Sequence, residues 1–200
     1  YRTGFSHNHN VNVSGGNDNT TYYFSVGHTD QEGFIRKNEF KRTNILFNID
    51  SRFNKIISVG GKLSYSNEKN LAASNSGSLP GEAFATAGVG RVVLVNAPNV
   101  PVYKNDGTYN IQSNGVIGSG ANSLAQVGFS NPQVLFDLNR SDNENQHVQA
   151  NAYIQAKPFS WLTLRSLYAI DYIFSDNDIF WNPIHGDGLA AGGQIFASYG

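Results

Sequence analysis

The sequence predicts an all-β fold, a segment of an antiparallel transmembrane β-barrel with long connections on one side. Three observations lead there. First, apolar and polar residues alternate with period two along six runs: Phe5–Ser14, Thr21–Thr29, Arg42–Phe53, Ile56–Asn67, Glu144–Ala156 and Trp161–Ser175. Successive strand side chains point to opposite faces, so each run carries one apolar and one polar face. The runs exceed the usual ~5–6 residues of a soluble strand and match the ~9–11 that a tilted strand needs to cross a bilayer. Second, short and long connections alternate strictly, as in membrane barrels. Third, only 14% of the 200 residues are charged, against 12% aromatic, with 21 Gly and 25 Asn. Soluble domains carry nearer ~25% charge, so the polarity here is mostly uncharged.

The first two runs form a hairpin. Phe5, His7, His9, Val11 and Val13 share one parity, and Tyr22, Phe24, Val26 and His28 answer them across Gly15–Thr20. That turn is built from residues that accept positive φ or bond their own backbone. A longer, charged connection, Asp30–Lys41, leads to the third run. There Thr43, Ile45, Phe47, Ile49 and Phe53 share a face. Asn54-Lys55 turns into the fourth run, whose Ile57, Val59, Leu63 and Tyr65 share a face, and Gly60-Gly61 in its middle predicts a bend or bulge.

Alternation then stops from Glu68 to Asp142, far beyond ordinary loop length. Within it Leu71–Gly81 is a small-residue linker. Glu82–Val95 reads either as a short helix or, at its end, as extended chain. Asn105-Asp106-Gly107 predicts a hairpin turn between Val102-Tyr103 and Thr108-Tyr109, and a helical turn is expected to start at Pro132. Ser113–Gly128 reads as irregular. The fifth run puts Val148, Ala150, Ala152, Ile154 and Ala156 on one face. Lys157–Ser160 turns into the sixth, with Leu162, Leu164, Tyr168, Ile170, Tyr172 and Phe174, and Asp176–Gly200 reads as a loop. Tyr22, Tyr23, Phe53, Phe159 and Trp161 flank the short turns; Phe5, Tyr65, Tyr172 and Phe174 sit toward the long connections, where interfacial aromatic girdles belong. Four units follow: barrel strands in 1–67, a long external insertion in 68–142, a barrel hairpin in 143–175 and an external loop in 176–200.

Composition closes several routes. A net charge of −1 and the absence of any Lys/Arg run give no case for nucleic acid. The lack of Cys excludes disulfides and Cys-based zinc sites. No apolar run approaches the ~20 residues of a transmembrane helix, which leaves barrel strands untouched. The absence of Met and an opening in mid-pattern are expected of a piece of a longer chain.

The residues also resemble a family. Ser14-Gly15-Gly16, Tyr22-Tyr23, Gln31-Glu32-Gly33, Phe40-Lys41-Arg42 and Asn48 follow the habit of the SusC/RagA-like TonB-dependent outer-membrane transporters of Bacteroidetes. Asn131-Pro132 and Pro158-Phe159-Ser160-Trp161-Leu162 are similar to the same family, and residues 9–67 match it best. The resemblance implies a 22-stranded barrel in the outer membrane of a Gram-negative cell, with an internal plug and a TonB box. It implies a SusD-like lipoprotein lid, import of glycans or peptides, and energy from TonB. It implies neither an enzyme nor a cofactor. A soluble β-sandwich carbohydrate-binding or adhesin module is the alternative.

Contact residues are expected among the aromatics of the long connections, Tyr103, Tyr109, Phe129, Phe180 and Trp181, which can stack on sugar rings or pack against a partner. The polar parity supplies Asn48, Asp50, Lys62, Gln149, Asn151 and Arg165 as lumen- or plug-facing residues. His7/His9 lack a carboxylate to complete a metal set, Asp176-Asn177-Asp178 with Asp187 lacks full calcium spacing, and His185 has no nucleophile at a recognisable spacing. No metal, catalytic or cofactor site is expected.

Overall fold

The computed structural model describes residues 2–72, 93–94, 96–113, 115–118 and 130–200. Seven strands form one antiparallel sheet in sequence order: β1 (Ser6–Gly16), β2 (Thr20–Glu32), β3 (Glu39–Arg52), β4 (Ile57–Ala72), β5 (Arg140–Phe159), β6 (Leu162–Trp181) and β7 (Gln194–Tyr199). A helix, α1 (Pro132–Leu138), precedes β5, and a 3-10 helix, Gly186–Ala191, lies between β6 and β7. The sheet is a meander and is not closed by these strands.

The expected strands are present but longer at the ends remote from the short turns. β4 continues to Ala72, β5 starts at Arg140 and β6 runs to Trp181. Asp176–Gly200 is therefore not all loop. Asp176–Trp181 pairs with β7, and Asn177, Asp178 and Phe180 lie on strand β6. Polar strand ends lose the alternation that betrays a strand, and backbone pairing with neighbours holds them instead. The expected bulge at Gly60-Gly61 is also absent, because pairing with β3 and β5 continues through both without a shift. The irregularity lies between Ala156 and Phe159.

Register decides the faces. One row across the sheet reads Val11, Val26, Ile45, Tyr65, Val148, Tyr172; the next reads Val13, Phe24, Phe47, Leu63, Ala150, Ile170. The opposite face carries Asn12, Ser25, Leu46, Ser64, Gln149, Asp171 and then Ser14, Tyr23, Asn48, Lys62, Asn151, Ala169. The apolar face is bare: Val11 is 70% exposed, Tyr168 71% and Leu164 56%. Six strands at ~4.8 Å spacing and about nine residues at ~3.3 Å make roughly 800 Å² of sheet, above the ~300–600 Å² of a typical largest apolar patch.

The band has edges. At the short turns Phe53, Phe159 and Trp161 project, the last two stacked with ring centroids 5.6 Å apart. At the other edge the row His7, Asp30, Lys41, Lys69, Glu144, Asp176 replaces apolar side chains by one imidazole and five charged groups. Lys41 Nζ lies 3.4 Å from Asp30 and Lys69 Nζ 2.9 Å from Glu144. Between these edges run Ile57–Tyr65 on β4 and Val148–Ala156 on β5, lengths that a tilted membrane strand requires.

The first two short turns share a device. Asn17 Oδ1 accepts from the Asn19 and Thr20 amides, and Asn54 Oδ1 from those of Ile56 and Ile57. An Asn that bonds the backbone two and three residues on mimics a turn and starts the reversal. Buried apolar side chains lie elsewhere, away from this band: Val100, Ile117, Val134, Leu135, Ile179 and Trp181 sit where the long connections meet the far ends of β5 and β6. No second sheet covers the apolar face among the described residues, so a sandwich core is not built there.

Gly60 has a packing reason. On the polar face the Tyr153 ring lies across it, and Tyr153 Oη donates to Asp50 Oδ1 at 2.6 Å. A Cβ at Gly60 would meet Asp50 Oδ1 and the Tyr153 ring, with Cζ at 2.8 Å. Gly60→Ala is expected to cost ~1–3 kcal/mol through this overpacking and to lower the thermal midpoint of the full-length protein. An unchanged midpoint would remove this explanation.

Candidate functional site

The long connections fold on asparagine. Asn131 is fully buried and caps α1, its Oδ1 accepting from the Gln133 amide at 3.0 Å while Pro132 occupies the first helical turn. Its Nδ2 donates to the carbonyls of Val102 (2.8 Å) and Asn110 (3.2 Å), tying the helix to the hairpin that precedes it. Asn110 Nδ2 donates in turn to the Pro101 and Gly118 carbonyls at 2.8 Å. Asn139, just after α1, accepts at Oδ1 from the Asn182 amide, and Asn182 Oδ1 accepts from the amides of Ile184 and His185. An Asn offers two donors and an acceptor, enough to satisfy loop backbone that has no ladder partner.

His185 closes this layer. Its Nε2 accepts from the Asn131 amide at 2.6 Å, which makes it the neutral tautomer with the proton on Nδ1. Nδ1 is buried without a partner among the described residues. Burial pushes its pKa down to about 4 from 6.5. The unfolded layer takes up a proton near pH 6.5 that the folded layer takes up only near pH 4. The stabilisation is thus fully present above pH 6.5 and is lost as pH falls toward 4. Buried Trp181 reports on it: in a Trp161→Phe background, the denaturant midpoint of its fluorescence is expected to drop between pH 7 and pH 5. His185→Gln should flatten that drop.

The expected contact aromatics divide. Tyr103 and Tyr109 face each other across the predicted hairpin, stacked at 5.7 Å and 22°. Tyr109 Oη donates to Asp137 Oδ2 at 2.8 Å, and this bond with burial pushes its pKa up to about 12. Gln133 Nε2 holds the same carboxylate, and Lys37 Nζ donates to the Asp137 carbonyl at 2.7 Å. Tyr103 remains 42% exposed, a ring backed by a fixed ring. Phe180 is half-buried and lines a cleft of about 560 Å³ with Leu71, Leu138 and Ile195, beside Lys37 and Arg140. Trp181 is not a loop residue: it ends β6, is 8% exposed, and packs edge-on against Phe196 at 5.0 Å. Phe129 lies outside the described residues, as do Glu82–Gly90 and most of Ser113–Gly128.

The six polar-parity residues share one face. Asn48, Lys62 and Asn151 form one row, Asp50 lies in the next, and Arg165 lies beyond it opposite Gln155. Gln149 neighbours a pair in which His147 Nε2 and Asp171 Oδ1 are 2.6 Å apart, and its Nε2 donates to the other oxygen of Asp171. Among the described residues no group of three or more His, Asp or Glu is arranged to hold a metal ion.

Comparison with known proteins points one way. Over 174 residues the chain is 24% identical to the TonB-dependent receptor P26 of Formosa agariphila, covering 87% of this chain and 15% of that protein. It is 27% identical over 146 residues to the TonB-dependent receptor SusC of Bacteroides thetaiotaomicron, 72% of this chain and 13% of SusC. It is 32% identical over 119 residues to the TonB-dependent receptor P3 of Formosa agariphila, 58% of this chain and 11% of that protein. No family model matches. The RagAB peptide transporter structure superposes with a TM-score of 0.62 at 22% identity, over 92% of this chain and 20% of the matched chain. The chain has the fold of a segment of that transporter's β-barrel chain, and in sequence it is similar to TonB-dependent receptors that include SusC. It spans only 15% and 13% of the lengths of the first two relatives.

A bare apolar face with two such edges is the surface that membrane-barrel strands present, with lipid on that side and water or protein on the other. Sequence reasoning found six of the seven strands, the turn positions and the polar face, and missed β7. It missed the roles of Asn110, Asn139, Asn182 and His185. The available signal was the Asn-Pro dipeptide, which marks a capped helix start at 131–132 and recurs at Asn182-Pro183.

Proposed function

We propose that the chain contributes wall, inner surface and external loops to a TonB-dependent outer-membrane transporter. The transporter takes up oligomeric nutrients, glycans or peptides, together with a SusD-like surface lipoprotein. The carrying observation is the uncovered apolar band, nine residues deep on β4 and β5, edged by aromatics below and ion pairs above. A face of that depth has no use in water and fits the hydrocarbon layer. The short turns then face the periplasm, and the connections at 33–38, 73–139 and 182–193 face outward. The remaining strands of a 22-stranded barrel, the plug and the TonB box belong to other parts of the protein, and the chain does no covalent chemistry.

In this reading Tyr103 and Tyr109, with Phe180 at the cleft, meet the substrate or the lipoprotein. Trp181 holds the loop layer behind them, and Phe129 belongs to the same connection. Asn48, Asp50, Lys62, Gln149, Asn151 and Arg165 face the lumen or the plug. The test is made on the full-length protein in its own cell. It should fractionate with the outer membrane, migrate faster on gels before heating than after, co-purify with a lipoprotein, and support TonB-dependent growth on an oligosaccharide or a peptide mixture. Recovery as a soluble monomer would favour the sandwich module instead. Tyr103→Ala should reduce uptake several-fold without changing the amount of folded barrel, since one base- or sugar-stacking aromatic is worth about 1 kcal/mol.

A further inference from the structure

The cleft beside Phe180 opens on the same face as the apolar band. Register carries the parity upward from the ion-paired row Lys69, Glu144, Asp176. The next row on that face is Leu71, Asp142, Asp178, Ala197, and the one beyond it Arg140, Phe180, Ile195. Leu71, Arg140, Asp178, Phe180 and Ile195 all line the cleft, which therefore belongs to the outside of the wall and not to the polar face. Lys37 closes it from the connection between β2 and β3. Among the described residues Lys37 is the one non-glycine with positive φ, 62°, a conformation that crowds a side chain. The bond from its Nζ to the Asp137 carbonyl at 2.7 Å keeps it there, with the ammonium at the rim.

Height and chemistry choose the occupant. From Asp176 to Phe180 the strand climbs four residues, ~13 Å along its length and ~10 Å of height at the ~35–45° tilt of a membrane strand. The polar layer of an ordinary bilayer adds only ~5–8 Å beyond the hydrocarbon, so a phospholipid headgroup ends below Phe180. A volume of about 560 Å³ falls in the ~300–1,000 Å³ range of a small-molecule site. Leu71, Phe180 and Ile195 give it an apolar floor, and Lys37 and Arg140 share the rim with Asp178. Asp142, 2.9 Å from Arg140 Nε, makes the local charges even, so a bare anion gains little. A sugar gains from every part: its apolar ring face lies on Phe180, while its hydroxyls donate to Asp178 and accept from Lys37 and Arg140. We propose that the cleft holds the saccharide headgroup of a glycolipid of the outer leaflet, whose acyl chains run down the apolar band. The proposal rests on the barrel reading above and narrows it at one residue: Phe180 meets a membrane lipid, which leaves cargo and lipoprotein to Tyr103 and Tyr109.

The experiment uses the full-length protein, extracted from its own outer membranes in mild detergent, washed free of loose lipid and weighed by native mass spectrometry. The probe is the lipopolysaccharide of the same membranes. Folded, heat-shifted protein should retain it, and Phe180→Ala combined with Arg140→Gln should lower the retained amount about tenfold. Ile195→Trp, which fills the cleft and leaves the rim intact, should lower it likewise. Tyr168→Ala, on the apolar face far below the cleft, should not. The proposal is overturned if folded barrel retains no glycolipid, or if both cleft variants retain as much as the unaltered protein. It is equally overturned if the retained lipid is only phospholipid, or if the oligosaccharide or peptide mixture that supports growth displaces the glycolipid. Protein recovered outside the outer membrane would instead overturn the barrel reading, and this proposal with it.

Discussion

Arginine at both Val59 and Leu63 is expected to abolish assembly of the full-length protein in the outer membrane. Both side chains lie on the apolar face, Val59 opposite Ser51 and Ile154, Leu63 opposite Phe47 and Ala150. They sit within the nine-residue span Ile57–Tyr65, away from the ion-paired edge. An arginine near the bilayer midplane of a barrel costs ~2–4 kcal/mol, so the pair approaches the ~5–15 kcal/mol by which a whole domain is stable. The contrast is on the other parity: arginine at Ser64, whose side chain lies on the polar face, should be tolerated. Fractionation and heat-shifted migration read both. Normal assembly of the double variant would mean that the face does not meet lipid.

Asn131→Ala is expected to unfold the long connection while leaving the sheet paired. The side chain caps α1 and donates to two carbonyls, all in a site with no exposure. Loss of the cap costs ~1 kcal/mol and each of the two donated bonds ~0.5–1.5 kcal/mol, since both carbonyls keep a backbone N–H partner, so ~2–4 kcal/mol falls on one small layer. Hydrogen exchange should rise by roughly thirty- to a thousandfold at residues 100–118 and 132–139, with β2–β4 unchanged. Asn131→Asp keeps the cap and loses the donors, so it should fall between. Uniform protection in Asn131→Ala would show that the layer is held by its apolar contacts at Val134 and Leu135.

The barrel strands were legible because their physics is local. Alternation at period two is written in each run, and Asn17 and Asn54 reverse the chain with their own side chains. Parity then ordered Asn48, Asp50, Lys62, Gln149, Asn151 and Arg165 onto a common face without any coordinates, since register preserves parity across a ladder. What escaped was non-local. β7 and the upper ends of β5 and β6 have mixed composition, and only their pairing makes them strands. Gly60-Gly61 was legible as an exception but not as a cause: its neighbour Tyr153 is far away in sequence. Trp181 and Tyr103 look alike as loop aromatics, yet one packs on Phe196 and the other stays open.

The sequence by itself determined that this chain is all-β, with long strands, tight turns on one side and a lipid-suited face. Alternation, low charge and turn chemistry are properties of neighbouring residues, and they survive without any knowledge of contacts. Only the tertiary structure decided which side chains are spent and which are free. Asn131 and His185 close the loop layer, and Arg165 lies against the Tyr153 ring, because hydrogen bonds and stacking join residues that the chain order keeps apart.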